Sequence, residues 1–214
     1  MVIAIDGPSG VGKSTVSRAV ADRMGLGYLD TGATYRAATL AVVRAGIDVG
    51  SECAILSELE RHSIDYTDIG VVLDGESVAF DVRSNEVTSN VSAVSAHREV
   101  RAEIVDIQRR WVDNRDGHAV VEGRDIGTIV FPDAPLKIYL TANPFVRATR
   151  RSGDAEASGK SVQEIADEIE ARDHADSTRK ASPLRPADDA IIIDTSDFTA
   201  TQVVDKIVEL THLV

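Results

Sequence analysis

The sequence predicts a three-layer α/β fold in which a five-stranded parallel sheet is covered by helices, and three observations carry that expectation. A short apolar strand at Val2–Ile5 runs directly into a glycine-rich loop and then a helix. Further short apolar runs alternate with stretches of helical periodicity along the chain. One segment, Ser63 to Val82, breaks this rhythm with apolar and polar residues in alternation, which predicts a small antiparallel β unit inserted into the parallel core or a simple decorative hairpin.

Taken in order, Val2–Ile5 reads as a strand buried on both faces, stopping abruptly at Asp6 and Gly7. Ser14 to Met24 places Val16, Ala19, Val20 and Met24 at helical spacing, and Gly25 and Gly27 end that helix. Tyr28-Leu29 is the second strand, closing at Asp30-Thr31-Gly32 before a helix that carries Tyr35, Ala38, Leu40, Ala41 and Val42. Ser51 is a plausible N-cap for a short helix to His62. Asp74-Gly75 between VVL and ESVAF is a two-residue hairpin signal. Ala96 to Val112 reads as a long helix, and Gly117 stops it before the strand Ala119–Val121. Strands at Leu136–Leu140 and Ala190–Ile193 and an amphipathic helix at Thr199–Leu210 complete the core. Asn143 to Lys180 predicts a charged helical pair broken at Ser152-Gly153 and Ser158-Gly159.

The chain has 214 residues, enough for one domain with inserts and a substantial core. Its 35 acidic against 23 basic side chains give a formal net charge of −12, which argues against general binding to nucleic acid or to an anionic membrane surface. Cys53 is the lone cysteine, so no internal disulfide forms and a reducing compartment is the simple expectation. No apolar run is long enough to span a bilayer and no signal peptide is legible, so the expected location is the cytoplasm.

The loop after the first strand reads G-x-x-x-x-G-K-[ST], with Gly7, Gly12, Lys13 and Ser14 at the fixed positions. With glycine near 7% of residues, chance would produce those four positions in a chain of this length only about once in a hundred. The glycines allow close backbone approach to phosphate, Lys13 is expected to reach the β- and γ-phosphates of a nucleoside triphosphate, and the Ser14 hydroxyl is the expected protein ligand of Mg²⁺. The loop alone does not separate a kinase from a hydrolase or a switch. No guanine-specifying Asn-Lys-x-Asp is present, and the strand that would end in a Walker-B aspartate ends instead in Glu122-Gly123-Arg124-Asp125. Arg36, Arg101, Arg124 and the Arg172/Arg179 pair lie on separate elements, a distribution that suits a second phosphate held opposite the first. The charged pair at 143–180, with Arg147, Arg150, Arg151, Asp173 and Asp176 as well, fits either a mobile lid or a solvated hairpin. A kinase for another small acceptor and a nucleotide-binding regulatory module both remain open at this stage.

Four motifs then carry a resemblance over nearly the whole chain: GPSGVGKST at Gly7–Thr15, DTGATYR at Asp30–Arg36, EGRDIGTIVFPDAP at Glu122–Pro135 and RDHADSTRKASPL at Arg172–Leu184. In this order they resemble the bacterial cytidylate kinases. The resemblance implies transfer of the ATP γ-phosphoryl group to CMP or dCMP with Mg²⁺, on a three-layer P-loop fold of the nucleoside monophosphate kinase type, and a monomer. It implies a single kinase domain over 1–214: a core (about 1–30, 115–145 and 183–214), a monophosphate-binding region (about 31–114, with the antiparallel unit at 63–90) and a short helical lid (about 146–182).

Carried over by residue, Gly7, Pro8, Ser9, Gly10, Val11, Gly12, Lys13, Ser14 and Thr15 bind the ATP phosphates. Arg36, Arg124 and Arg179 grip the CMP phosphate; Ser92, Arg101 and Asp125 face cytosine; Arg172 and Asp176 lie near the sugar; and Thr31 takes a hydroxyl position. Lys13, Arg124, Arg172 and Arg179 form the expected catalytic set. Threonine stands at 31 where the family more often has serine, and Ser92 and Arg101 rest on a poorly marked stretch that also fits surface or capping roles. Glu122 and Asp30 fit either water-mediated Mg²⁺ contacts or structural ion pairs.

Overall fold

A computed structural model of the chain describes residues 1–153 and 159–213. Two compact units emerge, one from Met1–Leu29 with Arg115–Val214 and the other from Asp30–Asn114.

The first unit is built on the strands β1 (Val2–Asp6), β2 (Gly27–Asp30), β6 (Ala119–Gly123), β7 (Leu136–Thr141) and β8 (Ile191–Asp194), in the order β2-β6-β1-β7-β8. β1 pairs in parallel with β6, Val2 opposite Ala119 through Asp6 opposite Gly123, and with β7, Ile3 opposite Leu136 through Asp6 opposite Tyr139. Ile3, Ile5, Val120, Leu136, Ile138 and Leu140 form one apolar cluster with residues of the helices α1 (Lys13–Met24) and α8 (Ala200–Thr211), including Val16, Val20, Val203 and Ile207. The run at Val2–Ile5 is therefore read correctly as a buried strand, whereas β8, at the sheet's edge, leaves Ile191 and Ile192 exposed. The helices α6 (Pro144–Arg151) and α7 (Val162–Thr178) pack through Ala148, Ile165 and Ile169. The expected break at Ser152-Gly153 is the end of α6, whereas Ser158 lies outside the described residues.

The second unit contains the helices α2 (Thr31–Arg44), α3 (Glu52–Leu59), α4 (Asn85–Val94) and α5 (Arg98–Asp113) and the strands β3 (Ile64–Thr67), β4 (Gly70–Leu73) and β5 (Glu76–Ser77). The three strands form an antiparallel sheet in chain order. Asp74 and Gly75 take φ of 54° and 83°, the left-handed pair that a tight hairpin turn requires and that the Asp-Gly signal predicts. Trp111 of α5 donates its indole N–H to the Tyr66 carbonyl and meets the Tyr66 ring edge-on, centroids 6.1 Å apart.

The antiparallel pairing ends at Ser77, short of the 63–90 span expected from sequence. From Asp81 the backbone is helical, first as a 3₁₀ turn at Asp81–Arg83 and then as α4. The reason is visible in retrospect: the Ser84 side chain accepts from the Val87 amide as an N-cap, and Val87, Val91 and Val94 are buried at helical spacing. Valine-rich composition masks that period because β-branched residues favour strands intrinsically.

Replacing Gly75 with alanine is expected to destabilise the second unit by about 1 kcal/mol, the cost of holding a Cβ in left-handed backbone. Urea unfolding followed by the fluorescence of Trp111, the only tryptophan, measures it.

Candidate active site

The loop from Gly7 to Lys13 depends on backbone that side chains would obstruct. Gly10 and Gly12 have φ of 81° and 89°. A Cβ on Gly7 would stand 2.3 Å from the Leu140 carbonyl oxygen, and one on Gly10 would stand 2.9 Å from that of Arg147. Gly12 serves as the N-cap of α1 without any side-chain cap, so the first amides of that helix remain directed at the loop, the arrangement by which a helix terminus holds an anion. Lys13 Nζ donates to the Gly7 and Pro8 carbonyls, each at 2.8 Å. Burial of the ammonium, with the Arg124 guanidinium nearby, pulls the Lys13 pKa down to about 7, against the opposing pull of Glu122 and Asp6. Ser14 and Thr15 begin α1 with exposed side chains.

β6 lies beside β1, so the segment after it leaves the sheet next to the glycine loop. Arg124 Nη1 donates to the Gly7 carbonyl at 2.6 Å, the same oxygen that takes Lys13, and its Nε donates to Asp176 Oδ2 at 2.8 Å. On the other side of Asp176, Arg179 Nη1 stands 3.6 Å from Oδ1, while Arg179 Nη2 is 3.8 Å from Asp125 Oδ1. Asp125 and Asp176 are both buried, so two guanidinium groups and two carboxylates balance one another out of water. Four of the residues named from sequence are thus gathered in one place, with Arg172 adding positive charge at Lys13.

Residues 126–130 form a single π-helical turn, a rare element that recurs at functional sites. The Asp125 carbonyl accepts from the Ile129 amide at 2.9 Å and the Val130 amide at 3.2 Å. Both oxygens of Asp6 accept from this turn, Oδ1 from the Ile126 amide and Oδ2 from the Gly127 amide, each at 2.8 Å. Burial pushes the Asp6 pKa up to about 6 even though those two amides favour the charged form. Sequence reading passed over Asp6; the available signal was a carboxylate ending an otherwise apolar strand.

The charged faces of α6 and α7 turn toward the glycine loop. Asp173 Oδ1 accepts from the Ser9 amide at 3.0 Å, and Oδ2 pairs with Arg147, whose Nη1 also donates to the Ser9 carbonyl at 3.1 Å. Arg151 donates to Ser9 Oγ at 2.9 Å, and Arg150 donates to the Thr195 hydroxyl and carbonyl at 2.9 and 2.7 Å. Glu122, buried at the end of β6, accepts from the Tyr28 hydroxyl.

The remaining candidates lie in the second unit. Asp30 caps α2 by accepting from the Ala33 amide at 3.1 Å, and Thr31 is buried in the first turn. Arg36 donates to the Val82 carbonyl and the Thr88 hydroxyl, at 3.1 and 2.9 Å. Arg101 is buried with its guanidinium 5.0 Å from the centre of the Tyr35 ring and donates to the Ser95 carbonyl at 3.2 Å. Ser92 sits on α4, one turn before Ser95.

Among the described residues no group of three or more histidine, cysteine, aspartate or glutamate side chains could by itself hold a metal ion. No described helix is long and apolar enough to cross a membrane.

The family model described as "Cytidylate kinase" matches residues 3–213. A cytidylate kinase of Streptomyces avermitilis is 50% identical over 98% of this chain and 92% of its own length. One from Mycobacterium leprae is 49% identical over 98% of this chain and 95% of its own. Among solved structures, an uncharacterised protein from Eubacterium ventriosum superposes with a TM-score of 0.55 at 13% identity, covering 100% of this chain and 99% of that one.

Gly7→Ala forces a side chain against main-chain oxygen that cannot move without disturbing β7. It is expected to lower stability by about 2–3 kcal/mol, read as a reduced thermal midpoint, and to abolish retention on immobilised ATP.

Proposed function

The chain belongs to the cytidylate kinase family, and from that premise we propose how its residues transfer the γ-phosphoryl group of ATP to CMP or dCMP, giving ADP and CDP or dCDP. The observation that best supports the assignment of roles is the shared Gly7 carbonyl, which sets the donor-side Lys13 and the acceptor-side Arg124 against a single atom.

The backbone of Gly7 to Thr15 holds the donor phosphates. Lys13 leaves its two loop carbonyls to meet the β- and γ-oxygens, exchanging neutral acceptors for charged ones. Ser14 would be the protein ligand of Mg²⁺, which would supply positive charge to neutralise the donor phosphates. Arg124 and Arg179, with Arg36 of the second unit, hold the acceptor phosphate, and Arg172 and Asp176 lie toward the sugar. Thr31, Ser92 and Arg101 complete the monophosphate side, where residues about 31–114 form the binding region. Residues about 146–182 act as a lid, since Arg147, Arg151 and Asp173 all reach Ser9 of the donor loop.

Because the attacking atom is already a phosphate oxygen, no general base is required. Alignment and charge neutralisation by Lys13, Arg124, Arg172 and Arg179 carry the acceleration. Asp125 is proposed to accept from the exocyclic amine of cytosine. Uracil presents a carbonyl at that position, and a buried carboxylate facing a carbonyl is left without a donor. The reading includes a monomer acting in the cytoplasm.

ADP formation from ATP and Mg²⁺, measured with CMP, dCMP, UMP, GMP and AMP in turn and without acceptor, tests the reaction. Strong dependence on CMP or dCMP is expected, and equal slow hydrolysis in every tube overturns the acceptor site. Lys13→Ala is expected to lower kcat by at least about 10²–10³-fold, the scale for deleting one donor to developing charge. Asp125→Ala is expected to reduce the preference for CMP over UMP by about a hundredfold while leaving the KM for ATP near its original value.

A further inference from the structure

Asp6 belongs to none of the residues given a role above, yet it is a buried carboxylate with both oxygens held by the main chain. It is 4% exposed, it ends the central strand, and each of its oxygens takes a different backbone amide from another segment. We propose that Asp6 is a positioning residue for monophosphate recognition: by accepting the Ile126 and Gly127 amides together, it fixes the backbone that aims Arg124 and Asp125.

The physical case rests on where those amides lie. The first amides of any helical turn have no partner within the turn, and buried orphans of this kind are costly. Here the turn is π-helical and one turn long, so it contributes little cohesion of its own. The Asp125 carbonyl is committed to the Ile129 and Val130 amides, and the next two amides are committed to Asp6. The main chain on the carboxyl side of Asp125 is therefore held from both directions. Asp125 itself has φ −143° and ψ 27°, outside the helical and strand basins, so its side-chain direction is imposed by these flanking bonds and not by a preferred backbone state.

Asp6 is also well placed to transmit this order between the two loops. The parallel register sets it directly opposite Gly123, the residue before Arg124. The residue after Asp6 is Gly7, whose carbonyl receives Arg124 Nη1. Two adjacent residues of β1 and the donor loop thus fix the acceptor segment twice, through the Asp6 side chain and through the Gly7 main chain. Charges from both loops act on Asp6, Asp125 disfavouring its ionised form and Lys13 favouring it. Only a carboxylate of this length offers two acceptors to two parallel N–H donors. Asparagine turns one of the two contacts into donor against donor, and glutamate moves both oxygens by a methylene.

This inference rests on the proposed roles of Arg124 and Asp125 toward CMP. The test compares the wild-type chain with Asp6→Asn and Asp6→Glu in steady-state assays with ATP, CMP and UMP each varied, below the thermal midpoint of every variant. Losing a charge-assisted bond should raise the KM for CMP and lower the CMP-over-UMP ratio of kcat/KM by about tenfold each. The KM for ATP is expected to stay within about twofold, a split that general destabilisation does not produce. Should Asp6→Asn fail to fold, Asp6→Glu keeps the charge and carries the same expectation. A wild type without monophosphate preference overturns the acceptor assignment itself. A wild type that prefers CMP, with variants that prefer it equally or lose ATP and CMP affinity in parallel, overturns the positioning role alone.

Discussion

One carbonyl oxygen organises the site. The Gly7 oxygen accepts from both the Lys13 ammonium and the Arg124 guanidinium, so two cations converge on an atom that carries only a partial charge. Such convergence is costly unless anions lie near, and Glu122 and Asp6 act on Lys13 while Asp176 binds Arg124 directly. The glycine at position 7 is what makes the arrangement possible, because a side chain there would collide with β7. In the roles proposed above, phosphate would offer each of these cations full negative charge in place of a carbonyl's partial charge.

The same balance explains how an acidic protein can serve acidic substrates. Net charge of −12 describes the surface as a whole, whereas binding is governed by charges that solvent does not screen. Arg124, Arg147 and Arg179 are each largely buried and each faces an aspartate. Their carboxylate partners hold the guanidinium planes in place and limit the cost of burying them. In the phosphate-binding role proposed for Arg124 and Arg179, donors already oriented in this way leave less ordering to be done on binding.

Much of this was legible in the sequence, because strong local signals and buried geometry coincide. The apolar run at Val2–Ile5, the glycines of the donor loop and the Asp74-Gly75 turn each dictate their own backbone, and each is found where its chemistry requires. The stretch from Asp81 to Asn90 falls in the span expected to be antiparallel, because its valines favour strands while the spacing of Val87, Val91 and Val94 favours a helix, and burial decided for the spacing. Ser9 was named for phosphate alone, yet its amide, carbonyl and hydroxyl are all engaged by α6 and α7. Asp6 escaped notice because its partners are amides 120 and 121 residues away, and no local pattern announces a long-range backbone bond.

The order of strands has a consequence for how the chain is made. β1 is central, yet both its neighbours, β6 and β7, come from residues 119–141, after the whole of the 30–114 unit. During vectorial synthesis the second unit, with its own buried core around Trp111, leaves the ribosome complete while β1 still has no strand to pair with. β1, apolar over Val2–Ile5, is therefore the strand of this sheet that waits longest for its neighbours. Slowed elongation or a chaperone holding that strand would protect yield without touching any step of the reaction.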